Sequence, residues 1–279
     1  MMTLAASLLL AAVCSLQPAL DLAVFSGGTL IVRRSSLDWD SRGQPLEAAE
    51  VGCDRFAGPA VSPDGESVSI WAGSDTLDCI LVIEDGGFRI LGSWSRAGLP
   101  CWDGRGGLWF TAEGQLMRDG CPVGIPLDAH HISVSGDGSR VAFTDDLDRI
   151  QVMSTADGQV EMVNDGFRWY APHFTPLGIV SPSLDGGIRL VADEGTSCEL
   201  GSGQQPTWWP DRQGILFVRT SDDGHVLLSS DLWLWTAEEG EQRLSDSPEA
   251  LEAHPHPCGN RVHYVDMATG GVGVLVFFP

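Results

Sequence analysis

A strand-turn-strand phrase that recurs six times, a second acidic-Gly turn after most copies, and no sustained 3.6-residue apolar period predict an all-β fold. The expected architecture is a six-bladed β-propeller of four-stranded antiparallel blades. Residues 59–65 (P-A-V-S-P-D-G) show the phrase most clearly. Pro63 presets φ for a turn, Asp64 can bond its own backbone, and Gly65 supplies a positive φ. Val68, Ile70 and Ala72 then alternate with Ser69 and Trp71, the period of a strand.

The other copies are P-C-W-D-G-R-G at 100–106, I-S-V-S-G-D-G at 132–138 and P-H-F-T-P-L-G at 172–178. P-T-W-W-P-D-R at 206–212 and P-H-P-C-G-N at 255–260 complete the set. Each leads into a second strand, expected at Val68–Ala72, Leu108–Thr111, Val141–Thr144, Leu177–Val180, Ile215–Arg219 and Arg261–Asp266. Asp85-Gly86, Asp119-Gly120, Asp157-Gly158 and Glu239-Gly240 mark a further hairpin, so each unit has four strands. Units of about 40–45 residues have the period of a propeller blade. One such sheet cannot hide both apolar sides, whereas stacking round an axis buries each against the next. Strands apolar at successive positions, such as Leu232-Trp233-Leu234-Trp235, fit that arrangement.

Closure requires the two chain ends to share a blade. Leu22–Ser26, Thr29–Arg33 and Pro45–Ala49 have no opening phrase before them, and Val272–Phe278 has no hairpin after it. These halves are expected to complete one another. One strand is left over, which keeps seven blades as the alternative.

Residues 1–19 read as a signal peptide and 20–279 as a single propeller domain. Leu4–Val13 is an apolar run too short to span a bilayer as a mature helix, and small residues and Pro18-Ala19 follow it. No Lys or Arg precedes Arg33, and Val13 before Cys14 fits a lipoprotein signal poorly. A periplasmic or secreted protein without a transmembrane segment is expected. The net charge of −22, with 16 basic residues that are all Arg, disfavours nucleic acid and anionic lipid as partners. Of the seven Cys, loss of Cys14 with a signal would leave six, an even number that suits an oxidising compartment. Cys101 and Cys121, within one repeat, are the disulfide pair expected first.

The phrases S-P-D-G-E-S-V-S-I-W, S-G-D-G-S-R-V-A-F and W-P-D-R-Q-G-I-L-F-V resemble the WD-like propeller repeat of the TolB family. The likeness covers about residues 55–266 and is clearest in the copies near 59, 132 and 206. It implies a six-bladed propeller, usually a periplasmic or secreted protein-binding scaffold. TolB itself has a separate N-terminal domain before its propeller, and no such domain is expected within these 279 residues. The catalytic domain that follows similar repeats in prolyl-oligopeptidase-like peptidases is not expected within these residues.

No G-x-S-x-G nucleophile elbow occurs, and no catalytic residue or cofactor is assigned. Asp38-x-Asp40-x-Arg42-Gly43 fails as a calcium loop, because Arg42 puts a cation where a ligand oxygen is needed. Asp145, Asp146 and Asp148 read as a solvated turn, and no metal site is assigned. His131, His173, His254 and His256 fall at or near the start of opening strands, which lie innermost in a propeller. They are candidates for a channel-mouth ligand site, or else polar caps on strand ends.

Phe167-Arg168-Trp169-Tyr170 lies in a link between blades, on the face expected to carry Trp94, Arg96 and the insertion Ser221–Ser230. Trp, Tyr and Arg often carry interface energy. The competing reading is that Phe167 and Trp169 plug a seam between blades. The sequence thus predicts a monomeric scaffold that binds a protein or peptide. The alternative is an enzyme, a metal-assisted glycan lyase or hydrolase, that uses a His-lined channel mouth.

Overall fold

A computed structural model describes residues 22–26, 29–33, 45–47, 52–53, 55–64, 66–84, 87–163, 168–184, 186–192, 196–246, 251–259, 261–266 and 271–277. For several of these, including all those before residue 52, only the backbone is described. The proposed signal peptide, the 38–43 loop and Phe167 lie outside the described residues.

The described chain is all strand apart from turns and one 3₁₀ turn at Pro210–Arg212. Strands β1 (Leu22–Ser26), β2 (Thr29–Arg33) and β3 (Pro45–Glu47) make a three-stranded sheet. Five four-stranded antiparallel sheets follow in sequence order. The first comprises β4 (Arg55–Val61), β5 (Val68–Gly73), β6 (Asp78–Glu84) and β7 (Gly87–Trp94). The second comprises β8 (Cys101–Trp102), β9 (Leu108–Ala112), β10 (Gln115–Arg118) and β11 (Cys121–Pro126). The third comprises β12 (Ile132–Val134), β13 (Arg140–Thr144), β14 (Ile150–Ser154) and β15 (Val160–Val163). Next come β16 (His173–Thr175), β17 (Gly178–Pro182), β18 (Gly187–Val191) and β19 (Ser197–Ser202). The fifth comprises β20 (Gln204–Trp209), β21 (Gly214–Asp222), β22 (Leu227–Thr236) and β23 (Gly240–Arg243). A last three-stranded sheet contains β24 (Glu252–Cys258), β25 (Arg261–Asp266) and β26 (Gly271–Val276).

The turn chemistry explains why the opening phrase folds as it does. Ser62 Oγ donates to Asp64 Oδ1 at 2.5 Å, the Glu66 N–H donates to the same oxygen, and the Ser67 N–H donates to Ser62 Oγ. The copy at 135–140 repeats these bonds through Ser135, Asp137, Ser139 and Arg140. At 103–107 one carboxylate does both jobs: Asp103 Oδ1 accepts from the backbone N–H groups of Arg105 and Gly107. Its Oδ2 accepts from Trp109 Nε1 at 2.9 Å, which ties the turn to the core.

Successive apolar residues are needed because each sheet is covered on both sides. On β9, Leu108 and Phe110 pack toward Trp71, Ile80 and Val82 of the preceding sheet, while Trp109 packs toward Val134 and Val141 of the next. On β21, Ile215 and Phe217 meet Val180 and Ile188, whereas Leu216 and Val218 join the cluster that contains Val262. Trp169, Ile179 and Val191 fill the seam against Ala142 and Ile150. The first strands adjoin one another: Trp102 Nε1 donates to the Ala60 carbonyl, and the Phe174 N–H donates to Ser133 Oγ.

The expected Cys101–Cys121 disulfide does not form. The two lie on one cross-strand row, Cys101–Trp109–Arg118–Cys121, but on the opposite edge strands β8 and β11. Three inter-strand spacings of about 4.8 Å separate them, beyond the Cα reach of a disulfide. Burial pushes the Cys101 thiol up to about 12, which keeps it protonated near neutral pH.

Candidate partner-binding face

Each four-stranded sheet has two ends. One carries the hairpin turns after the first and third strands. The other carries the turn between second and third strands and the link to the next sheet, and here most sequence-predicted site residues fall.

Trp94 ends β7 and is partly buried, its ring 5.0 Å from that of Phe110. Arg96 follows in the link with a side chain 69 % exposed, and its Nη1 donates to Asp128 at 3.1 Å. Asp128 belongs to the next link, so the pair bridges neighbouring connections. Beside it, the Ser95 N–H and Oγ both donate to Glu113 Oε1. These bonds from Ser95 hold the Glu113 carboxyl below the usual carboxylate range.

The 168–170 link divides by residue. Arg168 is also 69 % exposed, and its Nε donates to Asp148 at 2.9 Å. Trp169 is 1 % exposed and fills the seam between sheets, so it presents no contact surface to a partner. Tyr170 is 38 % exposed. The acidic turn before this link is occupied internally: Asp145 accepts from Arg149 and Gln151, and Asp148 from Arg168. The insertion forms a long β21–β22 hairpin, with Val226 and Leu228 exposed near its tip.

Arg96 and Arg168 occupy equivalent backbone positions, a relation that residue type alone does not reveal. Ala97 bridges Ala112 and Trp169 bridges Ser183, and the preceding arginine's carbonyl accepts from the next turn residue, Glu113 N–H or Leu184 N–H. In β4 Arg55 holds the same place, opposite Gly73 with Phe56 opposite Ala72. The signal was present in the sequence: each arginine precedes by four the proline of an opening phrase, Pro59, Pro100 or Pro172.

The histidines form a looser set. His173 begins β16 opposite Val180, and His256 lies in β24 opposite His263. Counted from the phrase prolines Pro172 and Pro255, the two hold the same position in their strands. His131 directly precedes β12, and His254 lies near the start of β24. The side chains of His254 and His256 lie outside the description. His173 is partly buried, and that burial pushes its imidazole down to about 4, leaving it neutral near pH 7. His131 stacks edge-on with His130 at 4.9 Å, and His130 in turn meets Trp71. Among the described residues no group of three or more His, Cys, Asp or Glu is arranged to hold a metal ion. No helix among them is long and apolar enough to cross a membrane.

No protein-family model matches the chain, and no curated protein matches it. Solved structures do. TolB from Acinetobacter baumannii is similar at 15 % identity and a TM-score of 0.45, over 89 % of this chain and 59 % of that one. This chain therefore spans less than two thirds of that protein's length. A TolB described as putative, from Agrobacterium tumefaciens, is similar at 17 % identity and a TM-score of 0.44, over 67 % and 83 % of the two chains. Oligogalacturonate lyase from Vibrio parahaemolyticus gives a TM-score of 0.55 at 9 % identity, over 79 % of this chain and 77 % of that one. The structural neighbours are thus TolB-like β-propeller proteins, and the likeness is one of fold alone.

Proposed function

We propose that the chain is a non-catalytic propeller scaffold that binds a protein or peptide partner through the end of its sheets that carries the links. One observation carries this reading: Arg96 and Arg168 recur at one backbone position, both largely exposed and both held by a carboxylate from another segment. A salt-bridged arginine keeps free N–H donors in a fixed plane, which favours directional contacts with a partner. Tyr170 and the β21–β22 tip extend the surface with exposed aromatic and apolar area. The ring in this proposal has six blades, or seven if the three-stranded sheets β1–β3 and β24–β26 each form one. The protein is exported to the periplasm or beyond and acts as a monomer.

The test is capture from the native cell with the wild-type chain and with the double variant Arg96→Ala/Arg168→Ala. Loss of the captured partner by about tenfold or more, with an unchanged thermal melt, is expected. Equal capture by both proteins would overturn the assignment of this face.

A second reading, an enzyme working at the channel mouth, draws on the shared strand position of His173 and His256 and on the neutral imidazole of His173. A lyase shares the fold. Neutral imidazole is the form that ligates metals. Metal analysis of the purified chain and of His173→Ala decides it: stoichiometric metal lost in the variant would favour this reading over the first.

A further inference from the structure

The pair of sulfurs that the structure brings together is not the pair the repeat suggested. Cys53 Sγ lies 3.9 Å from Cys79 Sγ, both side chains are buried, and Cys79 Sγ sits 3.2 Å from Ser93 Oγ. Cys53 stands just before β4, in the segment that joins the N-terminal sheet to the first four-stranded sheet, and Cys79 is on β6 of that sheet. The two are 26 residues apart.

We infer that Cys53 and Cys79 form a disulfide when the protein folds in an oxidising compartment. The co-reactant is a small-molecule disulfide such as oxidised glutathione. One Cys thiolate attacks a sulfur of that disulfide, breaking its S–S bond, forming a mixed disulfide and releasing one small thiol. The second Cys then attacks the protein sulfur of the mixed bond and releases the other small thiol. The two protein thiols are oxidised, the disulfide is reduced to two thiols, and the two protons end on those released thiols. Because both sulfurs are buried in the folded chain, exchange takes place while the segment docks, before the sheet covers them. The bond fastens the first full sheet to the segment that carries Cys53, just before β4. It acts as a covalent clamp near the junction of the chain's two ends, where β1 approaches both β4 and β26.

The sequence makes the test direct, because cleavage after Arg42, Arg55 and Arg89 puts Cys53 and Cys79 in separate peptides, 43–55 and 56–89. The full chain is refolded in a glutathione redox buffer, alkylated in denaturant, digested with trypsin without reduction and read by mass spectrometry. A 43–55/56–89 linked peptide that disappears on reduction is expected, and Cys53→Ser should leave residue 79 alkylated. Breaking the link with dithiothreitol should lower the folding equilibrium constant on the order of a hundredfold in wild type but not in Cys53→Ala/Cys79→Ala. Recovery of both cysteines as alkylated thiols, or of either joined to a different cysteine, would overturn the inference. So would an equal response of wild type and double variant to reductant.

Discussion

The two ends of the sheets differ in how they hold their charges. At the hairpin end, acids bond inside their own turn: Asp64 with Ser62 and Glu66, Asp137 with Ser135 and Ser139, Asp103 with Arg105 and Gly107. These partners lie within a few residues, so the bonds repeat with the phrase, and Asp103 adds longer-range partners in Trp109 and Arg118. At the link end, Asp145 also bonds locally with Arg149 and Gln151, but other partners are far apart in sequence: Ser95 with Glu113, Arg96 with Asp128, Arg168 with Asp148. Those pairs tie one connection or turn to another. They leave the guanidinium groups of Arg96 and Arg168 largely exposed to solvent. An end whose polar groups are satisfied locally has little to offer a partner beyond shape. The other end has donors already held in place.

Substitutions that probe this contrast have graded consequences. The largest is expected at the seam beneath the link, where Trp169→Ala leaves a cavity against Ile150, Ile179 and Val191. A loss of about 3–5 kcal/mol in a urea melt is expected for emptying a buried Trp site. A loss below 1 kcal/mol would mean that this link does not bind the sheets together.

At the hairpin end, Asp103 is the turn acid with the most at stake. Burial alone would raise its carboxyl, but the bonds from Trp109, Gly107 and Arg105 and the charge of Arg118 outweigh that and hold it below the usual carboxylate range. Asp103→Ala should cost about 2–3 kcal/mol, since buried N–H donors lose a charged acceptor. Its folded value lies below the unfolded one, so this stabilisation is present above pH 4 and is lost as pH falls through the folded value. Acid titration of stability should therefore flatten in Asp103→Asn.

His173 tests the inner strands in a different pH window. Its folded value of about 4 lies below the ordinary 6.5, so the native state disfavours the proton. Stability is then complete above about pH 6.5 and falls as pH drops toward 4, by at most about 1.4 kcal/mol per pH unit. His173→Gln should remove that dependence. An unchanged slope between pH 6.5 and 4 in urea melts would show that this ring is not desolvated.

The smallest stability effect belongs to the exposed arginines. Arg96→Ala and Arg168→Ala should each change folding stability by less than about 1 kcal/mol, because solvent screens such pairs. A larger loss would recast the link-end pairs as structural fasteners.

Strand existence and order were legible because the turns carry their own chemistry. The second strands fall where the phrase places them, with Arg261–Asp266 matched to the residue and Val68–Ala72 extended by one. The β21–β22 hairpin runs longer than expected, since Thr220 and Ser221 continue the ladder opposite Ser230 and Ser229. The site was only half legible. Counting residue types picked out Arg96, Arg168 and Trp169, but their exposure depends on which strand face meets a neighbouring sheet. That put Trp169 inside and both arginines outside. The Cys101–Cys121 expectation failed for a related reason: nearness in one repeat does not measure distance across four strands.

Local bonds within a few residues, turn acids, prolines and glycines among them, were enough for the sequence by itself to determine an all-β chain of repeated antiparallel sheets. Which side chains share a seam, which sulfurs meet and which charges remain open to solvent were decided by tertiary structure. Those outcomes depend on how separate sheets stack, and each sheet's two faces become distinct only when its neighbours are in place.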